Sequence, residues 1–273
     1  MKKIVFVLSI FLWGALAFAQ EYKEVNDISY YSEKNAPEGG KERCKLDVYY
    51  PTDKQKSPII IWFHGGGLTA GSKEIPSDLK NKDLIVVGAG YRLAPDTEVK
   101  EIIKDGAQAV KWVYKNIETY GGDPQKIIIS GHSAGGYLAL MLGLNKEYLE
   151  EVGIDNQNLL GIVPFSPQTI THFTERKSRD ISELRPIIDS LAPLYWVTKE
   201  APPVSLITGD REMEMLGRYE ENAYLARMLK LAKHPYVKLF ELQGYSHDMT
   251  YPAFPILLRE VKNMMEYQEK DQR

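Results

Sequence analysis

Ile127-Ile128-Ile129-Ser130-Gly131-His132-Ser133-Ala134-Gly135-Gly136 is the stretch from which the rest of the chain can be read. Three consecutive isoleucines leave no polar face, the pattern of a strand buried on both sides. A serine bracketed by glycines follows, in the order Gly-x-Ser-x-Gly, and glycines there permit a tight, strained turn that holds a serine hydroxyl out over a sheet. From about Ala134 to Leu144 the chain is apolar and free of proline, which reads as a helix. The unit is strand, tight turn, helix.

The same alternation extends in both directions. Leu46–Tyr50, Ile59–Phe63, Leu84–Val87, Leu159–Phe165, Val204–Thr208 and Val237–Leu242 read as further strands, several of them apolar throughout. Residues 98–119 carry a helical stripe of Ile102, Ile103, Ala107, Val110, Val113 and Ile117, closed by Gly121-Gly122-Asp123-Pro124. Residues 217–232 read as a helix, and an amphipathic helix is expected from Pro255 onward. Residues 20–42 are polar and are expected to wrap the edge of the domain. Repeated β-then-α units predict an α/β fold, a mostly parallel central sheet with helices on both faces. In such sheets chemistry gathers outside the C-terminal strand ends, which directs attention to the loops after each buried run.

Composition narrows the function. Thirty-four Lys and Arg against 37 Asp and Glu give a formal net charge of −3, with no dense basic run, so nucleic acid is excluded as a partner. One cysteine, Cys44, cannot form an internal disulfide and reads as a small buried apolar residue. Lys2 and Lys3, the apolar run Ile4–Leu16 and Ala17-Phe18-Ala19 have the anatomy of a secretory signal peptide over residues 1–19. That predicts an exported protein, periplasmic or secreted, with residues 20–273 as one domain and no membrane span after cleavage. The oligomeric state is not legible.

The serine at the turn is a candidate nucleophile, but a hydroxyl is weak without a base. A second glycine cluster, His64-Gly65-Gly66-Gly67, ends the run Ile59–Phe63. Glycines let backbone N–H groups approach a substrate closely, and such donors stabilise the oxyanion of acyl transfer. Gly71-Ser72-Lys73 has the wrong order for a phosphate loop. With these two motifs on their strand ends, and Gly90-Tyr91-Arg92-Leu93-Ala94-Pro95 after the next run, the chain resembles the α/β-hydrolase superfamily. The likeness is to its hormone-sensitive-lipase-like and carbohydrate-esterase (feruloyl-esterase-like, BD-FAE-like) branch, and it extends from about Lys45 to the end.

The resemblance implies Ser133 as nucleophile and the N–H groups of Gly65, Gly66 and Ala134 as the oxyanion hole, with His64 bracing the loop. It places the base just after the last strand, at His247 in Gly244-Tyr245-Ser246-His247-Asp248. His234 lies at the opposite end of the sheet and His172 precedes the acid, so neither fits. His132, beside the nucleophile, is read as a packing or hydrogen-bonding residue. The acid is placed three residues beyond a glycine after the penultimate strand. In Gly209-Asp210-Arg211-Glu212 that position is Glu212, with Asp210 as the alternative and a turn hydrogen bond as its other role.

Residues 167–201, with His172, Phe173, Tyr195 and Trp196, form the one sizeable insertion and are expected to make a short cap. The function implied is cleavage of small-molecule or polysaccharide esters, short-acyl or feruloyl, through an acyl-enzyme. An arylformamidase-like amidase and a non-catalytic binding member of the same fold are the alternatives. No cofactor or metal is called for, since no His or Cys cluster has ligand spacing.

Overall fold

The computed structural model describes residues 20–215 and 217–271, so the leader expected over residues 1–19 lies outside the described residues. The strands are β1 (Tyr22–Ser29), β2 (Lys45–Pro51), β3 (Ser57–Phe63), β4 (Ile85–Ala89), β5 (Gly122–His132), β6 (Gly161–Phe165), β7 (Val204–Gly209) and β8 (Val237–Leu242). The helices are α1 (Gly40–Arg43), α2 (Val99–Asn116), α3 (Ala134–Leu144), α4 (Glu147–Glu150), α5 (Phe173–Ser178), α6 (Arg218–Leu231) and α7 (Thr250–Asp271). The strands form one eight-stranded sheet in the order β1-β2-β4-β3-β5-β6-β7-β8. Pairing is antiparallel at β1–β2 and β2–β4 and parallel from β4 through β8.

Alternation along each central strand sorts side chains between two cores. Ile59, Ile61 and Phe63 join Ile127 and Ile129 against α2 and α3 on one face. Ile60, Trp62, Val86 and Ile128 pack with Phe254, Leu257 and Met264 of α7 on the other. Side chains two residues apart share a face, so a strand covered by helices on both sides must be apolar at every position. All eleven residues of α3 are buried, which explains why its sequence has no polar stripe.

Three elements depart from expectation. β1 lies within the stretch read only as an edge wrap: as an edge strand with mostly exposed side chains it carries no hydrophobic period. β5 starts at Gly122 inside the segment read as a helix stop, because Ser57 of β3 pairs with Gly122. α7 begins at Thr250, ahead of Pro255. The strand ends that matter are those of β3, β5, β6, β7 and β8, which point the same way and bring five loops together.

Candidate active site

Ser133 occupies the turn between β5 and α3 with φ 54° and ψ −112°, a backbone conformation that a non-glycine residue adopts only when its surroundings impose it. Its N–H donates to the Phe165 carbonyl at 2.8 Å and its carbonyl accepts from Tyr137 N–H at 2.9 Å, so β6 and the first turn of α3 hold it from both sides. The turn closes because Gly135 has no side chain: a Cβ there would stand 2.0 Å from the Phe63 carbonyl oxygen. Ser133 is 8% exposed.

The His64–Gly67 loop arches over this turn. A Cβ at Gly65 would stand 3.8 Å from Ser133 Cβ, so the loop and the serine face each other. Gly66 has φ 110°, and a Cβ there would meet the Ala70 carbonyl at 2.2 Å. Among the described residues the N–H groups of Gly65, Gly66 and Ala134 donate to no acceptor. For Ala134 this is the ordinary state of a first helical residue. His64 stacks on Tyr91 with centroids 4.2 Å apart, its Nδ1 lies 2.7 Å from the Gly65 carbonyl, and Tyr91 OH donates to the His64 carbonyl at 2.6 Å. Burial holds the His64 imidazole down at about 4, so it stays neutral and braces the loop. The next loop is itself anchored: Arg92 makes three hydrogen bonds to the fully buried Asp105 of α2, two from its guanidinium at 2.7 and 2.8 Å and one from its backbone N–H at 3.2 Å.

His247 follows β8 and reaches the same place. The His132 and His247 rings lie 4.7 Å apart, and His132 Nε2 donates to the His247 carbonyl at 2.9 Å. His132 therefore ties the β8 loop to the residue preceding Ser133. Burial, then the neighbouring His247, pushes its pKa down to about 4, so His132 remains neutral beside its partner. Among the described residues the Ser133 hydroxyl makes no hydrogen bond of its own. Such contacts are commonly long before a substrate arrives and tighten with it.

The carboxylate at His247 is neither of the two read from the sequence. Glu214 Oε2 lies 3.0 Å from His247 Nδ1, and the Glu214 side chain is fully buried. Glu212 is exposed, and among the described residues its carboxylate makes no hydrogen bond to His247. Asp210 serves the turn: its carboxylate accepts from the N–H groups of Glu212 at 3.0 Å and Gly244 at 2.8 Å. The correction has a local cause. After β7 the backbone makes one helical turn, with Glu214 N–H donating to the Asp210 carbonyl at 2.8 Å. That turn swings position 214 back over the strand end, where its Oε1 accepts from Gly209 N–H at 3.0 Å. Spacing counted from the glycine in an extended loop stops two residues short. Burial pushes the Glu214 carboxyl up, but hydrogen bonds from His247, Ser166 and the Gly209 N–H outweigh it and hold the group at about 2.

Ser166, after β6, was not singled out by sequence. Its hydroxyl donates to Glu214 Oε1 at 2.5 Å and lies 2.9 Å from His247 Nδ1. The available signal was position: it is the first residue beyond a fully buried strand.

Residues 167–201 pack onto the glycine loop. Thr174 Oγ1 donates to the Gly67 carbonyl at 2.5 Å, and the Phe173 ring closes over Gly67. Two cavities flank α5. One of about 690 Å³ is lined by Phe173, Leu184, Met215 and Tyr224; the other, about 790 Å³, by Thr69, Pro95, Val99 and Leu191. His172 is buried and caps α5, and His234 bonds the Ala201 carbonyl at 2.9 Å, so both are structural. Among the described residues no group of three His, Cys, Asp or Glu is placed to hold a metal ion, and no helix is long and apolar enough to cross a membrane.

A mostly parallel sheet with a serine on a strained strand-to-helix turn, an overarching glycine loop and a histidine after the last strand defines the α/β-hydrolase fold. The chain belongs to the BD-FAE family, whose model matches residues 46–216. It is 32% identical over 106 residues to the isoprenylcysteine alpha-carbonyl methylesterase ICME of Arabidopsis thaliana, covering 37% of this chain and 25% of that one. It is 29% identical over 157 residues to the carboxylesterase NlhH of Mycobacterium tuberculosis, covering 54% of this chain and 48% of that one. The chain thus spans between a quarter and a half of these relatives' length. Its fold superimposes on a truncated form of a carbohydrate esterase from gut microbiota with TM-score 0.72 and 18% identity, covering 89% of this chain and 96% of that one.

Proposed function

We propose that the chain is a serine hydrolase that cleaves carboxylic esters through an acyl-enzyme on Ser133. The observation that carries this reading is His247, held at Nδ1 by Glu214 and tied through His132 to the turn bearing Ser133. With Nδ1 occupied as donor, Nε2 is left as the basic nitrogen. It takes the Ser133 proton as Oγ attacks the acyl carbon, and returns it to the departing alcohol. Negative charge gathers on the carbonyl oxygen, where the unused N–H groups of Gly65, Gly66 and Ala134 receive it, each donor contributing about 3–4 kcal/mol. Water then attacks the acyl carbon, giving its proton to His247, which passes it to Ser133 Oγ as that bond breaks and the acid leaves. Glu214, ionised above about pH 2, steadies the imidazolium in both halves.

For substrates we favour short-acyl esters and esters of carbohydrates or ferulate. The cavities on either side of α5 have the size of small-ligand sites, but neither is lined by Ser133 or His247, so the family likeness carries the substrate reading. The family and the esterases named above support ester chemistry. Export through a signal peptide over residues 1–19 is part of the same proposal, and the N-terminal sequence of the secreted protein tests it.

The decisive experiment uses a panel of p-nitrophenyl esters, acetylated xylan and methyl ferulate, with fluorophosphonate labelling mapped by mass spectrometry. Turnover of at least one ester and a label on Ser133, both absent from Ser133→Ala, are the expected results. Turnover of an aryl formamide with no ester cleaved would assign an amidase instead. No label and no turnover would make the fold a binding module.

A further inference from the structure

We propose that Ser166 is a positioning residue for the proposed hydrolysis, its hydroxyl bridging the Glu214 carboxylate and the His247 imidazole so that both keep one orientation. The proposal rests on the Ser133 reading above and adds a fourth side chain to it.

The geometry leaves the hydroxyl one consistent role. Ser166 is fully buried. Its Oγ is 2.5 Å from Glu214 Oε1, which can only accept from it. The same Oγ is 2.9 Å from His247 Nδ1, which also stands 3.0 Å from Glu214 Oε2. With the hydroxyl proton given to Glu214, a lone pair of Oγ faces the Nδ1–H, and that proton is shared between Ser166 and Glu214. A proton on Nδ1 is then favoured twice over, and Nε2 is the nitrogen left bare.

Glu214 is a longer and more flexible side chain than an aspartate, so its carboxylate needs more anchors. It has four: Ser166 Oγ and Gly209 N–H on Oε1, His247 and Met215 N–H, the latter at 3.0 Å, on Oε2. Ser166 alone among these touches both partners. Its own placement is enforced. It sits at φ 44°, its N–H donates to the Ile207 carbonyl, and its carbonyl accepts from Nη1 of the buried Arg218. A strained serine clamped from two strands and a helix is a costly arrangement unless its side chain must point one way.

The charged and titratable groups around His247 are Glu214 from the β7–α6 loop, His132 from the β5–α3 turn and, behind Ser166, the Arg218 guanidinium of α6. Removing the hydroxyl takes an acceptor from Nδ1 and a donor from Glu214 together, so the balance between imidazole and imidazolium changes. The active form is the neutral imidazole, so the acid limb of kcat/KM moves with that balance.

The test compares Ser166→Ala and Ser166→Gly with the parent enzyme. Glycine adopts φ 44° freely, which separates loss of the hydroxyl from backbone strain. The expected result in both is a fall in kcat of about 10–100-fold with KM nearly unchanged, together with a displaced acid limb of kcat/KM. Unchanged kcat and limb in folded variants would overturn the proposal. A lower kcat with an unmoved limb, or recovery in Ser166→Gly alone, would reduce Ser166 to a structural residue and overturn it equally. If the parent enzyme carries no label at Ser133 and cleaves nothing, it is the hydrolase reading that fails, before Ser166 is examined.

Discussion

Glu214 Oε2 stands 3.0 Å from His247 Nδ1, the two side chains delivered by loops after neighbouring parallel strands. The contact fixes which carboxylate serves the imidazole. Glu214→Ala should therefore lower kcat on a p-nitrophenyl ester by about 10³–10⁴-fold, the scale seen when a triad acid is lost. Glu212→Ala, altering an exposed side chain, should stay within about twofold of the parent. Asp210→Ala loosens the turn that carries Glu214 and should cost about tenfold. Steady-state kinetics on the three variants decide the matter, and a dead Glu212→Ala beside an active Glu214→Ala would reverse the assignment.

Burial of neutral histidines makes the fold sensitive to mild acid. Burial holds His64 at about 4 and, with the adjacent His247, holds His132 at about 4; it lowers His172 as well. Their unfolded value is 6.5. Between these values the unfolded chain takes up protons that the native chain refuses. Stability is therefore fully present above about pH 6.5 and is lost as pH falls toward 4, by several kcal/mol in total. The urea midpoint should drop steadily between pH 7 and pH 4.5. A flat midpoint over that range would show that these imidazoles titrate normally.

The turn at Ser133 tolerates no added methyl group. Gly135→Ala places a Cβ 2.0 Å from the Phe63 carbonyl, in rigid backbone that cannot yield. Destabilisation of about 3 kcal/mol or more is expected, with loss of activity beyond what stability explains. Gly153→Ala is the comparison: φ is 81°, but a Cβ meets nothing within 4 Å, so only the conformational cost of about 1–2 kcal/mol applies. Thermal melts of the two variants should differ accordingly.

β3 and the end of β5, which carry the glycine loop and Ser133, were legible because each is buried on both faces. Burial of that kind writes itself as an unbroken apolar run, as in Ile59–Phe63 and Ile127–Ile129. β1 was illegible as a strand for the converse reason, since an exposed edge asks only for backbone pairing. Ser133 and the glycine loop could be named because each adjoins such a run, whereas His247 follows the half-buried β8 and its naming rested on the family resemblance.

Read alone, the chain gives the order of the buried strands and the long helices between them, the α/β class and the residues lying within a few bonds of those strand ends. The tertiary structure decided the partners. Glu214 meets His247 because a helical turn hydrogen-bonded through Asp210 reverses the loop after β7. Ser166 joins them because β6 lies beside β7 in the sheet. Both depend on pairing between segments distant in the chain, and no local pattern of side chains records which neighbour a strand end will face.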